Sequence, residues 1–278
     1  MDLQVSLPTI ESLMEAKVHL GHLAKHWHPA YKRFISGKAN GFYLIDLDMT
    51  ISKLKKACEF LVQAASKGDI IWVCRKKHLS NLVQNLAIQS KSHFVVSRWI
   101  GGLLTNFDVV RTSINKLIKL EQTFEKGVHD RTKYELMIMK REWKRLYRSF
   151  AGVKNLTKKP VALIVVDPVF EYSAVIEATK MSIPVIGIVD TDTDPNLVTY
   201  PIPANDDLIS SVSVILEPLS KAILLGNKGK GVEHQLKDYS NIQVQILKTA
   251  NDYQSSDDNP DFASEVVIIS SDNVEENK

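Results

Sequence analysis

Residues 161–190 read VALIVVDPVFEYSAVIEATKMSIPVIGIVD. The apolar runs 161–167 and 185–190 are continuous rather than alternating, as strands buried on both faces require. The stretch 172–181 between them has helical character and stops before Ile183-Pro184, because the residue ahead of a proline is pushed out of the helical region. Strand, helix, strand over this length is a crossover unit, and it sets two strands parallel.

Working outward, further short β-rich runs occupy 41–46, 70–74 and 94–97. With the first two they predict a parallel sheet of five strands covered by helices on both faces. A helix capped by Asp48 or Thr50 runs through Ala65, with Ile51, Leu54, Ala57, Cys58, Leu61 and Val62 on one side and Gly68 as its stop. Others are expected at 9–17, 79–89 and 206–225, the last entered through an Asn205-Asp206-Asp207 cap. Between the third and fourth runs the pattern changes. Phe107, Val110, Ile114, Leu117 and Phe124 keep a three-and-four spacing interrupted by Glu121, and Leu136, Met139, Trp143, Leu146 and Phe150 repeat it. Two such seams with a turn near 126–130 predict an antiparallel coiled-coil hairpin that projects as an arm, rather than two helices packed flat. The domain reading is therefore 1–106 plus 151–226 as one α/β unit, 107–150 as an inserted basic hairpin and 227–278 as an acidic tail.

Charge divides the chain. Residues 1–160 hold 28 Lys and Arg against 13 Asp and Glu, whereas 161–278 hold 7 against 19, and the net of +3 conceals the split. A basic half of this strength is suited to polyphosphate, binding with release of counterions. Lys133, Lys140, Arg141, Lys144, Arg145 and Arg148 form its densest stretch, opposed there by Glu135 and Glu142. From 250 to 278 there are eight acidic residues and one Lys, so this tail is expected to be disordered. Its apolar run 266–269 could add a strand to a partner's sheet edge, although an inert tail is the simpler expectation. Cys58 and Cys74 match no disulfide framework or metal spacing and read as buried thiols of a reducing compartment. No membrane span is expected.

The enzyme motifs that such a sheet invites are missing. No G-x-G-x-x-G follows a predicted strand, and GNKGKG at 226–231 continues with Val232 where a phosphate loop needs Lys and then Ser or Thr. There is no nucleophile elbow and no H-E-x-x-H. His19, His22, His26 and His28 cluster among Lys25, Lys32 and Arg33, which would repel a metal ion, so they read as RNA-facing or packing residues. Asp190, Asp192, Asp194, Asp206 and Asp207 gather at the C-terminal edge of the sheet, where hard divalent cations could bind. Helix capping and turn hydrogen bonds explain the same aspartates, so no metal or other cofactor is expected, with Asp190, Asp194, Asp206 and Asp207 as the weak candidates.

The block RWIGGLLTNF at 98–107 closely resembles the signature of the bacterial-type small-subunit ribosomal protein two family. EAKVHLGHLAKHWHP at 15–29, NGFYLIDL at 40–47, VDTDTDP at 189–195 and IPANDD at 202–207 are similar to it in order and spacing. The resemblance covers roughly 9–226. It implies a flavodoxin-like α/β domain with the coiled-coil hairpin inserted, rRNA binding on the solvent side of the small subunit, late assembly, and no enzymatic activity. The implied partners are small-subunit rRNA and neighbouring subunit proteins, in many bacteria including ribosomal protein one, without membrane association or homo-oligomer. The implied location is the cytoplasmic ribosome of a bacterium, or the matrix or stroma of an organelle with bacterial-type ribosomes.

Carried over by position, Arg98, Trp99, Thr105 and Asn106 would support the arm's base and its rRNA contact, Arg98 pairing with phosphate, Trp99 packing or stacking, and Thr105 and Asn106 capping the first arm helix. Lys25, Trp27, Lys32, Arg33 and Lys38 would form a second contact, and Arg75, Lys76 and Lys77 a third. Arg111, Lys116, Lys119, Arg131, Lys140, Arg141, Lys144, Arg145 and Arg148 are the hairpin's phosphate candidates. The chain departs from the family at Leu20-Gly21-His22, at Trp27-His28-Pro29 and at Cys74-Arg75-Lys76, the last putting the local turn in doubt. The alternatives are a free regulatory RNA-binding protein and an α/β enzyme of nucleotide or phosphate chemistry.

Overall fold

The computed structural model describes residues 5–126 and 132–233. Its centre is a parallel sheet of five strands in the order β5-β4-β6-β7-β8, formed by Ile70–Val73 (β4), His93–Val95 (β5), Ala162–Val166 (β6), Val185–Val189 (β7) and Tyr200–Pro203 (β8). Every residue of β4, β6 and β7 is buried. Successive side chains leave opposite faces of a strand, and the core divides accordingly. Ile70, Trp72, Ile164, Ile186 and Ile188 join one apolar cluster with helices α1 (Ile10–Glu15), α2 (Leu47–Ala65), α3 (Lys77–Gln89) and α7 (Ile209–Gly226). Ile71, Val73, Leu163, Val165 and Val189 join the other, with α4 (Phe107–Glu125), α5 (Lys133–Phe150) and α6 (Tyr172–Lys180).

The strand count matches the sequence reading, but the membership differs. The run 41–46 is not in the parallel sheet. Phe42–Ile45 (β3) is the centre of a separate antiparallel sheet between Leu20–Leu23 (β1) and Ile35–Ala39 (β2). Asn40 and Gly41 take φ of 50° and 85°, the left-handed pair that closes a two-residue hairpin, so β3 must fold back on β2. The fifth parallel strand is instead β8, whose Pro201 and Pro203 disguise it. Prolines are tolerated because β8 pairs with β7 alone, as an edge strand can.

Helix positions follow the apolar periodicity, with small shifts at the caps. Asp46, not Asp48 or Thr50, caps α2, its Oδ1 accepting from the N–H groups of Asp48 and Met49 at 3.0 and 3.3 Å. Thr50 donates to the carbonyl of Pro203 at 2.6 Å and ties α2 to β8. The start of α7 is served by Asn205, whose Oδ1 accepts from Asp207 and Leu208. By length and composition alone α7 is apolar enough to cross a membrane, but more than half of it is buried in this fold, against α2 and α3. Cys58 and Cys74 are free and buried, and burial pushes both thiols up to about 12.

The connection 126–132 is short and Lys116 on α4 pairs with Glu142 on α5 at 2.5 Å, so the two inserted helices run antiparallel. Val110, Ile114, Leu117 and Phe124 of α4 and Trp143, Leu146 and Phe150 of α5 are buried and continuous with the second core cluster. Glu121, which breaks the seam in sequence, is also buried and pairs with Lys154. The turn expected near 126–130 falls largely outside the described residues, as do Arg131 and the acidic tail from 234 onward.

Gly152 follows α5 and lies against the edge strand β5. A β-carbon there would sit 2.1 Å from the Phe94 carbonyl oxygen, whereas one at Gly37 would meet nothing within 4 Å. Gly152→Val should therefore lower stability by about 1–3 kcal/mol or more, because backbone cannot yield as a side chain does. Gly37→Ala should change the melting temperature little, and thermal unfolding of the two variants compares them directly.

Candidate nucleic-acid interface

The sheet's C-terminal edge is where a doubly wound fold would hold a ligand. The order of the five strands reverses between β4 and β6, and the crevice at such a switch point is the usual site. Here Lys76, just beyond β4, fills it. Its Nζ lies 3.0 Å from Asp167 Oδ2, 2.8 Å from Asp206 Oδ1 and 2.8 Å from Asp207 Oδ1. Asp167 ends β6 with φ of 61°, an uncommon backbone state for a residue with a side chain, and its Oδ1 accepts from Phe170 N at 2.9 Å. His22 completes the group, with Nδ1 3.1 Å from Asp190 Oδ2 and Nε2 3.4 Å from Asp207 Oδ2. Gly21 makes room for this strand, since a β-carbon would be 2.4 Å from Thr191 Cγ2.

The charges in this cluster hold one another. The close approach of Asp190 is the largest influence on His22 and, against burial, pushes its imidazole up to about 9. Burial alone would discharge Lys76, but the Asp206 carboxylate and the bonds to Asp206 and Asp207 outweigh it and raise its affinity for a proton. Burial, with the charge of Asp167, pushes Asp206 up to about 8 in spite of Lys76. At Asp207 the balance is reversed, because the hydrogen bond and charge of Lys76 overcome burial and hold the carboxyl low. A lysine so firmly protonated is neither nucleophile nor base.

Lys76 is not an open phosphate contact, since three carboxylates of its own chain hold it. Of the weak metal candidates, Asp206 and Asp207 do come together, but around the Lys76 ammonium, and Asp190 faces His22. Asp194 stays apart, with Oδ1 accepting from Asn196 N at 2.9 Å at the start of the Pro195–Leu197 turn. Among the described residues no His, Cys, Asp or Glu group has the arrangement of a metal site. Next to the cluster, Arg75 is partly engaged, its guanidinium 4.3 Å from the Phe170 ring and 3.6 Å from Glu171 Oε2. Burial pushes Glu171 up to about 7. Lys77 is exposed at the start of α3.

The base of the hairpin is set by Glu177 on α6, which sequence reasoning did not single out. Its Oε1 accepts from Trp99 Nε1 at 3.1 Å and Gly102 N at 2.8 Å, and its Oε2 from Leu104 N, Thr105 N and Thr105 Oγ1 at 3.1 to 3.3 Å. Burial works against the charge, but these donors overcome it and hold the carboxyl below its ordinary range. Trp99 is thus a buried packing residue and not a stacking surface. Thr105 bonds to Glu177 rather than capping α4, and Asn106 holds the cap position without a side-chain bond. Arg98 is exposed.

On the hairpin, Lys119, Lys140, Arg141, Lys144 and Arg148 are exposed and no carboxylate lies within 4 Å of their charges among the described residues. Lys116 and Arg145 both approach Glu142, at 2.5 and 3.8 Å. Arg111 is half-buried and donates to the Leu156 carbonyl. A second basic surface lies by the small sheet. Trp27 packs on Tyr43 with ring centres 5.2 Å apart, Lys38 Nζ is 6.0 Å from the Tyr43 ring, and Arg33 and Lys53 approach Phe34 at 4.9 and 5.9 Å. Lys25 and Lys32 are exposed nearby. Burial, with the charges of Lys56 and Arg33, pulls the Lys53 ammonium down, which marks crowded cations. Tyr43, Lys53 and Lys56 were not anticipated, although Lys53 and Lys56, three apart on α2, were legible as one charged helix face.

A family model described as "Ribosomal protein S2" matches residues 13–226. The chain belongs to the ribosomal protein S2 family. The small ribosomal subunit protein uS2c of Euglena gracilis is 41% identical over 223 residues, covering 80% of this chain and 93% of that protein. That of Mesostigma viride is 40% identical over 223 residues, covering 80% and 98%. The ribosomal protein S2 match includes the Lys76 cluster, the Glu177 clasp and both hairpin helices, and it ends at the last residue of α7.

Two stability outcomes follow. Lys76→Met leaves buried carboxylates without their cation and should cost about 3–5 kcal/mol near neutral pH, read by denaturant unfolding. The His22–Asp190 contact raises the folded pKa of His22 from 6.5 to about 9. Its contribution is therefore complete below pH 6.5 and lost as pH rises through about 9. Asp206, raised from 3.8 to about 8, acts in the same sense but from lower pH, so the melting temperature should fall as pH rises, and His22→Gln should make the fall between pH 6.5 and 9 smaller.

Proposed function

We propose that this chain anchors to small-subunit rRNA through the exposed cations of the hairpin and the basic surface of the small sheet. As a member of its family it is a structural constituent of the small ribosomal subunit, with rRNA and other subunit proteins as partners. The observation that carries the finer reading is the row of unpaired cations on α5. A helix face with four or five open cations and an apolar back is built for phosphate, and affinity of this kind arises from counterion release. Phosphate contacts of this sort position a protein on folded RNA through shape and charge.

The reading includes no catalytic role. What supports it is the closed crevice at β4 and β6, where Lys76 and its carboxylates lie in the place of a ligand. A free regulatory RNA-binding protein is the alternative, and contact with ribosomal protein one is a partner possible within the reading. We place the chain in a bacterial-type ribosome, of an organelle stroma or matrix or of a bacterium, and the uS2c relatives favour the stroma. The proposed division is 1–106 with 151–226 as the α/β unit and 107–150 as the arm, acting as a single copy per subunit.

Replacing Lys140, Arg141, Lys144 and Arg145 with Gln should weaken rRNA binding. It should also flatten the log–log salt dependence by roughly one unit for each phosphate that the variant no longer neutralises. An unchanged slope would show that the RNA lies elsewhere. Co-sedimentation with small subunits through moderate salt separates the ribosomal role from a free regulator, which would remain in the light fractions.

A further inference from the structure

Helix α5 has two faces of different character. At about 100° per residue, Leu136, Met139, Trp143, Leu146 and Phe150 share the face turned to α4 and the core. Tyr134, Ile138, Arg141, Arg145 and Arg148 fall on the opposite line, flanked by Met137 and Lys144. Tyr134 is 73% exposed, Ile138 45% and Met137 38%. This outer stripe is therefore apolar over the first turns of the helix and cationic over the rest. Large apolar side chains grouped in water usually mark a docking surface, and phosphate alone would have no use for them.

The same chain supplies a segment of matching order. Residues 234–278 hold nine Asp and Glu against three Lys. After Asp238 and Asp252 come Asp257, Asp258, Asp261 and Glu265, followed by Val266, Val267, Ile268 and Ile269, and then by Asp272, Glu275 and Glu276. The segment leaves the fold beside the root of α5. Val232 N donates to the Lys91 carbonyl at 2.9 Å, immediately before β5. His93 Nδ1 is 3.3 Å from the Gly152 carbonyl, and Ser97 Oγ donates to the Arg148 carbonyl at 2.7 Å. A chain rising from this root along α5 meets the cations first and the apolar turns second, which is the order in which it offers carboxylates and then aliphatic side chains. Length is no obstacle, because residues 234–265 could span up to about 100 Å and α5 is about 27 Å long.

We propose that residues 257–276 dock on the outer stripe of α5, with Asp257, Asp258, Asp261 and Glu265 on Arg141, Lys144, Arg145 and Arg148, and Val266–Ile269 on Tyr134, Met137 and Ile138. The tail then covers the hairpin's cations in the free protein, and RNA displaces it. The docking stands on the geometry above, and only the displacement rests on the RNA reading. A tethered partner needs little intrinsic affinity, since tethering alone supplies an effective concentration in the millimolar range. The contact is electrostatic in large part, so it weakens with salt.

A photo-crosslinking benzoylphenylalanine in place of Val267, in the full chain free of RNA, tests the docking. Crosslinks should concentrate on α5 between Tyr134 and Arg148 and should disappear when Arg141, Lys144, Arg145 and Arg148 are replaced by Gln. Crosslinks absent from α5, or joining separate chains in a mixture of isotope-labelled and unlabelled protein, overturn it. A 20-nucleotide oligouridylate tests the covering. The variant D257N/D258N/D261N/E265Q should bind it about tenfold more tightly than the native chain at low salt, and the two should converge near about 0.5 M salt. Equal affinity at low salt overturns the covering. If neither protein binds with a salt-dependent affinity, the RNA reading itself fails, and the crosslinks alone decide whether the tail docks.

Discussion

The ammonium group of Lys76 joins the ends of the core strands. It holds Asp167 at the end of β6 and Asp206 and Asp207 ahead of α7, so three chain segments far apart in sequence meet on one charge. Buried ion clusters are rarely a net gain over an apolar core, but removing the cation from this one would leave Asp167 and Asp206 with no other cation within 4 Å among the described residues. The cluster also decides what the sheet does. In doubly wound folds the switch point between strands is the place for a cofactor or substrate, and in this chain it is closed by the protein's own side chains.

With that crevice closed, the exposed cations lie outside the sheet. Glu177 gathers five donors from the loop that enters α4 and so fixes the root of the hairpin against α6. The apolar seam continues into the second core cluster, and Lys154 pairs with Glu121, the carboxylate buried in it. Each of these contacts faces inward. What remains outside is a line of arginine and lysine with few carboxylate neighbours, which follows from sequence because Glu135 and Glu142 are the only acids on α5.

The elements with strong local signals were readable from sequence: β4, β6 and β7 as unbroken apolar runs, α2, α4 and α5 by their spacing, and α7 by its cap. The small antiparallel sheet was not, because β1 and β2 are short and half-exposed and the Asn40-Gly41 turn was not given its due. The fifth parallel strand was hidden by Pro201 and Pro203, which argue against a strand unless it is known to lie at an edge. At the candidate site the misses share one cause. Lys76 stands in a run of three cations and reads as a phosphate ligand, yet its partner Asp206 is 130 positions away. Glu177 is one acid in an ordinary helix, and the loop it clasps lies more than 70 residues earlier. Charge read along a line finds the excess of cations but not which of them the fold has already neutralised.

We propose that RNA meets the outward stripe of α5 and the basic surface of the small sheet, and not the C-terminal edge of the parallel sheet. Mapping protein–RNA crosslinks in assembled small subunits tests it most directly. The expected result is a concentration of crosslinked residues at Lys140, Arg141, Lys144, Arg145 and Arg148, with none at Lys76. Crosslinks confined to the sheet's C-terminal edge, with the hairpin unmodified, would contradict it.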